Sequence, residues 1–312
     1  MQAAINLLSE EKVVAIPTET VYGLAALYDS EAAISAVYSI KGRPLNHPVI
    51  IHIGSLEWLN MLTDRVPEYA LTLIKHYWPG PLSIIFKKSK NVSDMITAGQ
   101  DTVAIRMPSH PLCLELLTQL NKPIVAPSAN PYCSTSPTKA SHVLKYFSDD
   151  VPVLEGGACH IGIESTIILA TNDKTFEILR PGIIQQEDLE RVSGVKCSSR
   201  MSHVKSPGLK QSHYSPTIPL IVFEHARGIE QYVVKNRGRF FIMSFDAINA
   251  DGHEVFIMEK CPDLYAEKLY SLWHQAEESD CTAILLQSPP LGSEWSFILD
   301  KINKASHQYK NN

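Results

Sequence analysis

What is missing from this chain of 312 residues narrows it first. Its six cysteines, at positions 113, 133, 159, 197, 261 and 281, never form a CxxC pair, so reduced thiols are expected rather than a disulfide framework. Twelve histidines are present, yet none falls in an HExxH or Cys/His ligand spacing, so no metal site is expected from them. No apolar run approaches about 18 residues, which excludes a membrane-spanning helix on sequence grounds. No secretory signal opens the chain, since Met1-Gln2-Ala3-Ala4 leads into a helical pattern, and a cytoplasmic location is expected. Positive charge is also scarce. The net charge is −5, with 19 basic and 20 acidic side chains in residues 1–217 and 9 and 13 in the rest. Neither part has the basic excess of a protein whose main task is to grip a polyanion. A small phosphorylated ligand needs only a local cluster. Internal repeats and low-complexity segments are absent as well.

What is present reads as two domains, in keeping with the length. Residues 3–11 form a short amphipathic helix pattern, and KVVAIPTET a strand running into a Thr-rich turn. Asp29 can cap a helix with an apolar stripe of Ala33, Val37 and Tyr38, which stops at Lys41-Gly42-Arg43-Pro44. Strand-like runs follow at 48–53, 82–88, 102–107, 123–129, 165–170 and 176–182, with helical patterns around 66–77, 111–120 and 138–147. Because strands and helices mix without strict βαβ alternation, a mixed, twisted α+β sheet is expected over residues 1–195. After Pro216 the pattern resets. IPLIVFE, RFFIMSF, EVFIMEK and TAILLQS alternate with helices near 227–236, 262–278 and 293–306, the signature of a smaller three-layer α/β, Rossmann-like domain at 219–312. Residues 196–218 join the two.

Several stretches of the first domain place polar groups at the ends of apolar strands, where mixed sheets expose binding sites. PTETVYGL (17–24) gathers Thr18, Glu19, Thr20 and Tyr22 around a Gly turn. KGRPLNHPVIIHI (41–53) sets Lys41 and Arg43 side by side at a helix end, as dipole complements or as a phosphate grip. His52 sits among isoleucines, as a core histidine or a ligand contact. DTVAIRMPSHP (101–111) buries Arg106 in a strand, and a buried guanidinium needs a carboxylate, from the protein or from a ligand. IVAPSANPYCSTSPT (124–138) ends a strand at Ser128 and Asn130, and Ser136-Pro137 reads as the cap and first residue of the next helix. Ser165, Thr166 and Arg180 stand at further strand ends. SPGLKQSHYSP (206–216) reads as a linker, yet it carries Lys210, His213 and Tyr214.

In this order, PTETVYGL, KGRP…HPVIIHI, WPGPLS, DTVAIRMPSHP, APSAN, IGIEST, LRPG and SPGLKQSHYSP resemble the Sua5/YrdC/YciO family, in particular its two-domain Sua5-type threonylcarbamoyl-AMP synthases. The resemblance spans residues 14–216 and extends more weakly into the tail. It implies a nucleotidyltransferase that makes threonylcarbamoyl-AMP and pyrophosphate from L-threonine, bicarbonate and ATP, with Mg2+ on the triphosphate, for the t6A modification of tRNA. It also implies roles. Lys41, Arg43, Ser128 and Asn130 would surround the phosphates. Arg43, His47, Thr102, Ser128, Ser136, Arg180, His213 and Tyr214 would contact ATP. Thr20, His52, Arg106 and Ala126 would hold threonine, together with Ser165 or, preferably, Thr166. The linker would close over the filled site and exclude water. The partners implied are tRNA and the downstream t6A transferase machinery, with no membrane and a monomer or weak dimer. Relatives of one domain bind nucleic acid, double-stranded RNA included, so an RNA-binding module without synthase activity is the alternative. Two departures stand out. Pro131-Tyr132-Cys133-Ser134 replaces the family's basic or small residue followed by Ser-Gly, and Gln211-Ser212 replaces an aromatic and basic pair.

Overall fold

The computed structural model describes residues 1–198, 202–208 and 214–306. These form two compact units. The first takes Met1–Tyr132, Pro137–His160 and the described chain from Glu164 to Gly208; the second takes Cys133–Ser136, Ile161–Ile163 and the described chain from Tyr214 to Ser306. Two short pieces of the 1–195 span thus group with the second unit.

The first unit contains, in chain order, α1 (Gln2–Ser9), β1 (Val14–Ile16), β2 (Gly23–Leu27), α2 (Glu31–Lys41), β3 (Ile50–His52), α3 (Leu59–Leu62), α4 (Glu68–Tyr77), β4 (Leu82–Lys87), α5 (Asp94–Thr97) and β5 (Thr102–Arg106). There follow α6 (Pro111–Leu120), β6 (Ile124–Val125), α7 (Ala140–Phe147), β7 (Thr166–Leu169), β8 (Thr175–Arg180), α8 (Gln186–Ser193) and β9 (Lys196–Cys197). Its strands form one mixed sheet in the order β1-β2-β6-β3-β5-β4-β7-β8-β9.

Alternation along the strands gives the sheet two unlike faces. Ile51, Ile53, Ile84, Phe86, Val103 and Ile105 point into the main core, against Val37 and Tyr38 of α2 and Leu73 of α4. The opposite face is covered under β1, β2 and β6 by α1 and α6, through Leu8, Leu116 and Leu117. Farther along that face, Ile50, Ile85, Ala104, Ile167 and Leu169 make only a small cluster, joined by Leu179 and Val204. Polar side chains of the same parity (His52, Arg106, Ser83 and Ser165) continue this thinly covered face.

Two helix starts differ from the sequence expectation. Ser30, not Asp29, caps α2, its hydroxyl accepting from the Ala33 N–H. The Ser oxygen lies at the residue whose own backbone is extended, which is the geometry a cap requires. Helix α7 begins at Ala140 with Lys139 as its N-cap, so Ser136-Pro137 does not start it. Gly42 does end α2, in the left-handed conformation (φ 60°) that glycine tolerates.

The second unit adds β10 (Leu220–Phe223), α9 (Ala226–Lys235), β11 (Phe240–Ser244), β12 (Glu254–Ile257), α10 (Pro262–Glu278), β13 (Ala283–Gln287) and α11 (Ser296–Ser306). Its four strands are all parallel, in the order β10-β13-β11-β12. Ile229 of α9 packs on Ile242, Phe240, Ala283 and Leu285 on one face. Phe241, Met243, Ile284 and Leu286 point the other way, where α10 and α11 cover them. This is the three-layer arrangement expected from the alternating pattern. Among the described residues, no helix is long and apolar enough to cross a membrane.

Candidate active site

Register places the polar residues of the first unit. β3 and β5 run parallel with His52 beside Arg106, and β6 runs antiparallel with Ile124 beside His52. The β4 and β5 register continues to set Ser83 next to Arg106, Ser83 pairs with Ile167, and Ile167 with Arg180. Ile124, His52, Arg106, Ser83, Ile167 and Arg180 therefore form one row across six strands. Thr102 occupies the other end of β5, four residues or roughly 13 Å away.

At the Arg106 end, burial dictates the bonding. Arg106 is 4% exposed and cannot stand uncompensated there. Its Nη2 lies 2.6 Å from Oε1 of Glu19, which is itself fully buried. Its Nη1 donates to the Thr20 hydroxyl at 2.9 Å, and its Nε to the Gly80 carbonyl at 3.1 Å. The chain thus supplies the carboxylate that the sequence left open. Of the five guanidinium N–H donors, these contacts use three and leave two for a ligand. Burial by itself would raise the Glu19 pKa, but the Arg106 charge and the hydrogen bonds to Glu19 hold it below the usual carboxylate range. His52 is pushed down to about 3, first by burial and then by the Arg106 charge, so it is neutral at physiological pH. Thr18 braces the turn, sharing a 2.9 Å hydrogen bond with Thr20 and donating to the Val21 carbonyl.

Ser165 and Thr166 stand at this same end. The Ser165 hydroxyl shares a 2.8 Å hydrogen bond with Ser83 and accepts from Arg180 Nη2 at 2.9 Å, while Arg180 Nε donates to the Ser165 carbonyl. Thr166 Oγ1 donates to the Ile184 carbonyl. The structure thus brings Arg180 to Ser165 and to the Arg106 row. Gly182 allows this: a Cβ there would lie 2.4 Å from the Thr166 nitrogen.

The other cluster lies where β6 ends and β3 begins. Gly23 pairs with Ser128, and the Ala129 N–H donates to the Tyr22 carbonyl, so the Ser128–Asn130 loop continues alongside β2. Ala126 follows β6, its N–H donating to the Ile50 carbonyl. Lys41, at the end of α2, is 3% exposed, and its Nζ donates to the carbonyls of Ser128 and of Asn130, the latter at 2.6 Å. Arg43 Nη2 donates to the Pro48 carbonyl at 2.8 Å. Lys41, Arg43, Ser128 and Asn130 are thereby brought together.

Tyr132, noticed in the sequence only as a departure, completes this cluster. Its N–H donates to the Lys41 carbonyl at 2.8 Å. Its ring lies 5.7 Å from the Arg43 guanidinium, a cation–π distance. Its hydroxyl is 3.0 Å from His47 Nε2. The sequence signal was the replacement itself; its physical meaning needed the 41–47 loop folded against it. Ser83, inside the LSIIF strand, was likewise named only as part of a motif.

Two of the expected ATP contacts belong to the second unit. Ser136 is fully buried, and its carbonyl accepts from His274 Nε2 at 3.1 Å. Tyr214 is buried with its ring stacked on Tyr270 at 6.0 Å and Lys301 Nζ 5.3 Å from its centre. Lys210, Gln211, Ser212 and His213 lie outside the described residues. Among the described residues, the one close group of potential metal ligands is Glu254, Asp280 and Cys281. Arg239 pairs with both of its carboxylates, so it reads as an ion-pair cluster.

Comparison with known proteins identifies the family. The Sua5/YciO/YrdC family model, described as "Telomere recombination", matches residues 6–182. The model described as "Threonylcarbamoyl-AMP synthase, C-terminal domain" matches residues 184–307. The chain belongs to the Sua5/YciO/YrdC family. Within that family it has the two-domain Sua5 organisation. Threonylcarbamoyl-AMP synthase of Pyrococcus abyssi is 35% identical over 98% of this chain and 94% of its own length. The Bacillus subtilis protein of the same name is 42% identical over 74% and 69%. The crystal structure of P. abyssi Sua5 complexed with L-threonine has a TM-score of 0.90 at 35% identity, covering 98% of this chain and 94% of that one. Escherichia coli YciO, at 21% identity, shares the fold over 60% of this chain and 91% of its own, with a TM-score of 0.53.

Proposed function

We propose that this chain is an L-threonylcarbamoyladenylate synthase, acting on L-threonine, bicarbonate and ATP. The observation that carries the reading is the arrangement of the first unit: a cation cluster at one end of β3 and β5, and an arginine with two uncommitted donors at the other. The relatives that bear the synthase name, and the P. abyssi protein complexed with L-threonine, support it.

The threonine carboxylate fits the two remaining Arg106 donors, with Thr20 beside it. Glu19 keeps Arg106 aimed, and neutral His52 adds no charge to repel the substrate amine. The amine attacks the carbon of bicarbonate and, with loss of water, gives a carbamate. A carbamate oxygen then attacks the α-phosphorus of ATP, and the bond to the leaving pyrophosphate breaks. Such a reaction depends on positioning and charge neutralisation more than on a protein nucleophile. Lys41 and Arg43 supply fixed positive charge at the phosphate end, and Ser128 and Asn130 a hydroxyl and an amide. Mg2+ would come with ATP, held by phosphate oxygens, because the protein groups gathered here are cations and neutral donors rather than carboxylates. Threonylcarbamoyl-AMP is an activated acyl donor, and the modification of tRNA is the reaction expected to consume it.

Pyrophosphate release from ATP by the purified full chain tests this reading. Release is expected only when both L-threonine and bicarbonate are present. Release independent of threonine, or none under any combination, would overturn it.

Tyr132 gives a finer test. Tyr132→Phe keeps the ring on Arg43 and removes the hydroxyl at His47. The loss of one hydrogen bond, about 1 kcal/mol, is expected to raise the KM for ATP about fivefold. The KM for threonine should not change. Tyr132→Ala should raise the ATP KM further. Equal rises in both KM values would mean that Tyr132 merely supports the fold.

A further inference from the structure

The second unit has a crevice that the proposed reaction does not use. It encloses about 650 Å3, within the usual range for small-molecule sites. Every strand of the parallel sheet sends residues to it from its carboxyl end or just beyond: Glu224 and His225 after β10, Phe245 and Asp246 after β11, Lys260 after β12, and Gln287, the last residue of β13, with Ser288 to Leu291 after it. The chain runs from β10 past β13 to β11, and later returns from β12 to β13. Open parallel sheets bind ligands at the carboxyl ends of their strands where the winding direction reverses.

The wall is flat and aromatic. Phe245 stacks on buried Tyr265 (centroids 5.6 Å apart, 28° between planes) and meets Trp295 edge-on at 5.8 Å. Tyr265 and Trp295 are themselves edge-to-face at 5.6 Å, so the cluster is rigid while Phe245 stays half-exposed at the crevice. Beside it, Asp246 is held in place. Its N–H donates to the Ser244 hydroxyl, and its Oδ2 accepts from Gln287 Nε2 at 3.2 Å. Gln287 is fixed in turn, its Oε1 accepting from Ser244 Oγ at 2.7 Å and the Phe245 N–H at 2.9 Å. Lys260 approaches Asp246 only to 3.8 Å. The exposed carboxylate therefore keeps acceptor capacity next to an aromatic face.

The charge of the lining is unsuited to a phosphate-rich ligand, because the carboxylates of Glu224 and Asp246 outnumber its one lysine, Lys260. The turn from β10 into α9 reads Glu224-His225-Ala226, with an acid and no glycine where a pyrophosphate would need close backbone approach. We propose that this crevice binds the ribonucleoside part of a ligand, its base against Phe245 and its vicinal diol on Asp246, without phosphate contacts.

Photolabelling of the full chain with 8-azidoadenosine, followed by peptide mapping, tests this. Label is expected on peptides containing Phe245 or Trp295. Excess adenosine should compete, and 2′,3′-dideoxyadenosine should compete at least tenfold more weakly. Asp246→Asn, a surface change that leaves the aromatic cluster intact, should reduce this label at least tenfold, as should Phe245→Ala. Competition by a short oligoribonucleotide at lower concentration than by adenosine would identify RNA as the source of the nucleoside; stronger competition by adenosine would identify a free metabolite. Label confined to the first unit, equal competition by the dideoxy compound, or an unchanged label in Asp246→Asn would overturn the proposal. Threonine-dependent pyrophosphate release, measured on the same Asp246→Asn protein, separates this outcome from failure of the synthase reading.

Discussion

Lys41→Ala is expected to lower threonine-dependent pyrophosphate release by a factor on the order of 10² to 10³, the range seen when one preorganised hydrogen-bond donor is removed from a transition state. Two losses combine. The fixed cation at the proposed phosphate end disappears, and the carbonyls of Ser128 and Asn130 lose the ammonium that ties their loop to α2. Leaving buried acceptors unsatisfied costs about 1–3 kcal/mol each, so the melting temperature should fall as well. Assaying the variant well below its own melting temperature separates the two effects. Arg43→Ala removes the second cation and the face on which Tyr132 rests, and should be impaired in the same assay without the same loss of loop anchoring. Activity of Lys41→Ala within a few-fold of the parent would show that the cluster is structural only.

Glu19→Gln is expected to destabilise the first unit by about 3–5 kcal/mol, because it leaves the buried Arg106 charge without its counter-ion. The pH dependence has a defined sign. Glu19 has a folded pKa below its unfolded value, so its contribution is present above about pH 4.3 and is lost as the pH falls through the folded value. His52 acts over a different window. Its folded pKa is about 3, against an ordinary value near 6.5, so below pH 6.5 the unfolded chain takes up a proton that the folded chain refuses. Stability therefore declines from pH 6.5 towards 3, by up to about 1.4 kcal/mol per pH unit from this group. Urea unfolding between pH 7.5 and 3.5 should show that decline in the parent. The deficit of Glu19→Gln should stay constant down to about pH 4 and then shrink. A pH-independent parent, or a variant as stable as the parent at pH 7, would contradict the buried-pair account.

Much of this was legible in the sequence, for reasons tied to particular residues. β4, β5, β7, β11 and β13 are mainly apolar runs, and burial on both faces writes that pattern directly. β2 was hidden because Gly23-Leu24-Ala25-Ala26-Leu27 lacks β-branched residues. It is a strand because Gly23 lets the backbone approach Ala126, where a Cβ would come within 3.1 Å. α8 was missed because only Leu189 of its eight residues is buried. The demand of Arg106 for a carboxylate followed from burial alone. The choice of Glu19 did not, since it depends on how the 17–23 turn folds over the end of β5. The role of Tyr132 was likewise invisible, because it arises from three contacts to a loop nearly ninety positions earlier, with His47 85 residues before it.

The strand order also has a consequence for biosynthesis. β1 to β6 are all encoded before residue 126, and they occupy adjoining places in the sheet. β7, β8 and β9 then extend it outward from β4 in the order in which they leave the ribosome. At about 5–20 residues per second, the nascent chain spends a few seconds with β4 as an open edge before β7 can pair with it. In that interval the hydrogen-bonding groups along Leu82–Lys87 are the surface on which a ribosome-bound chaperone would act, and on which neighbouring nascent chains would pair wrongly.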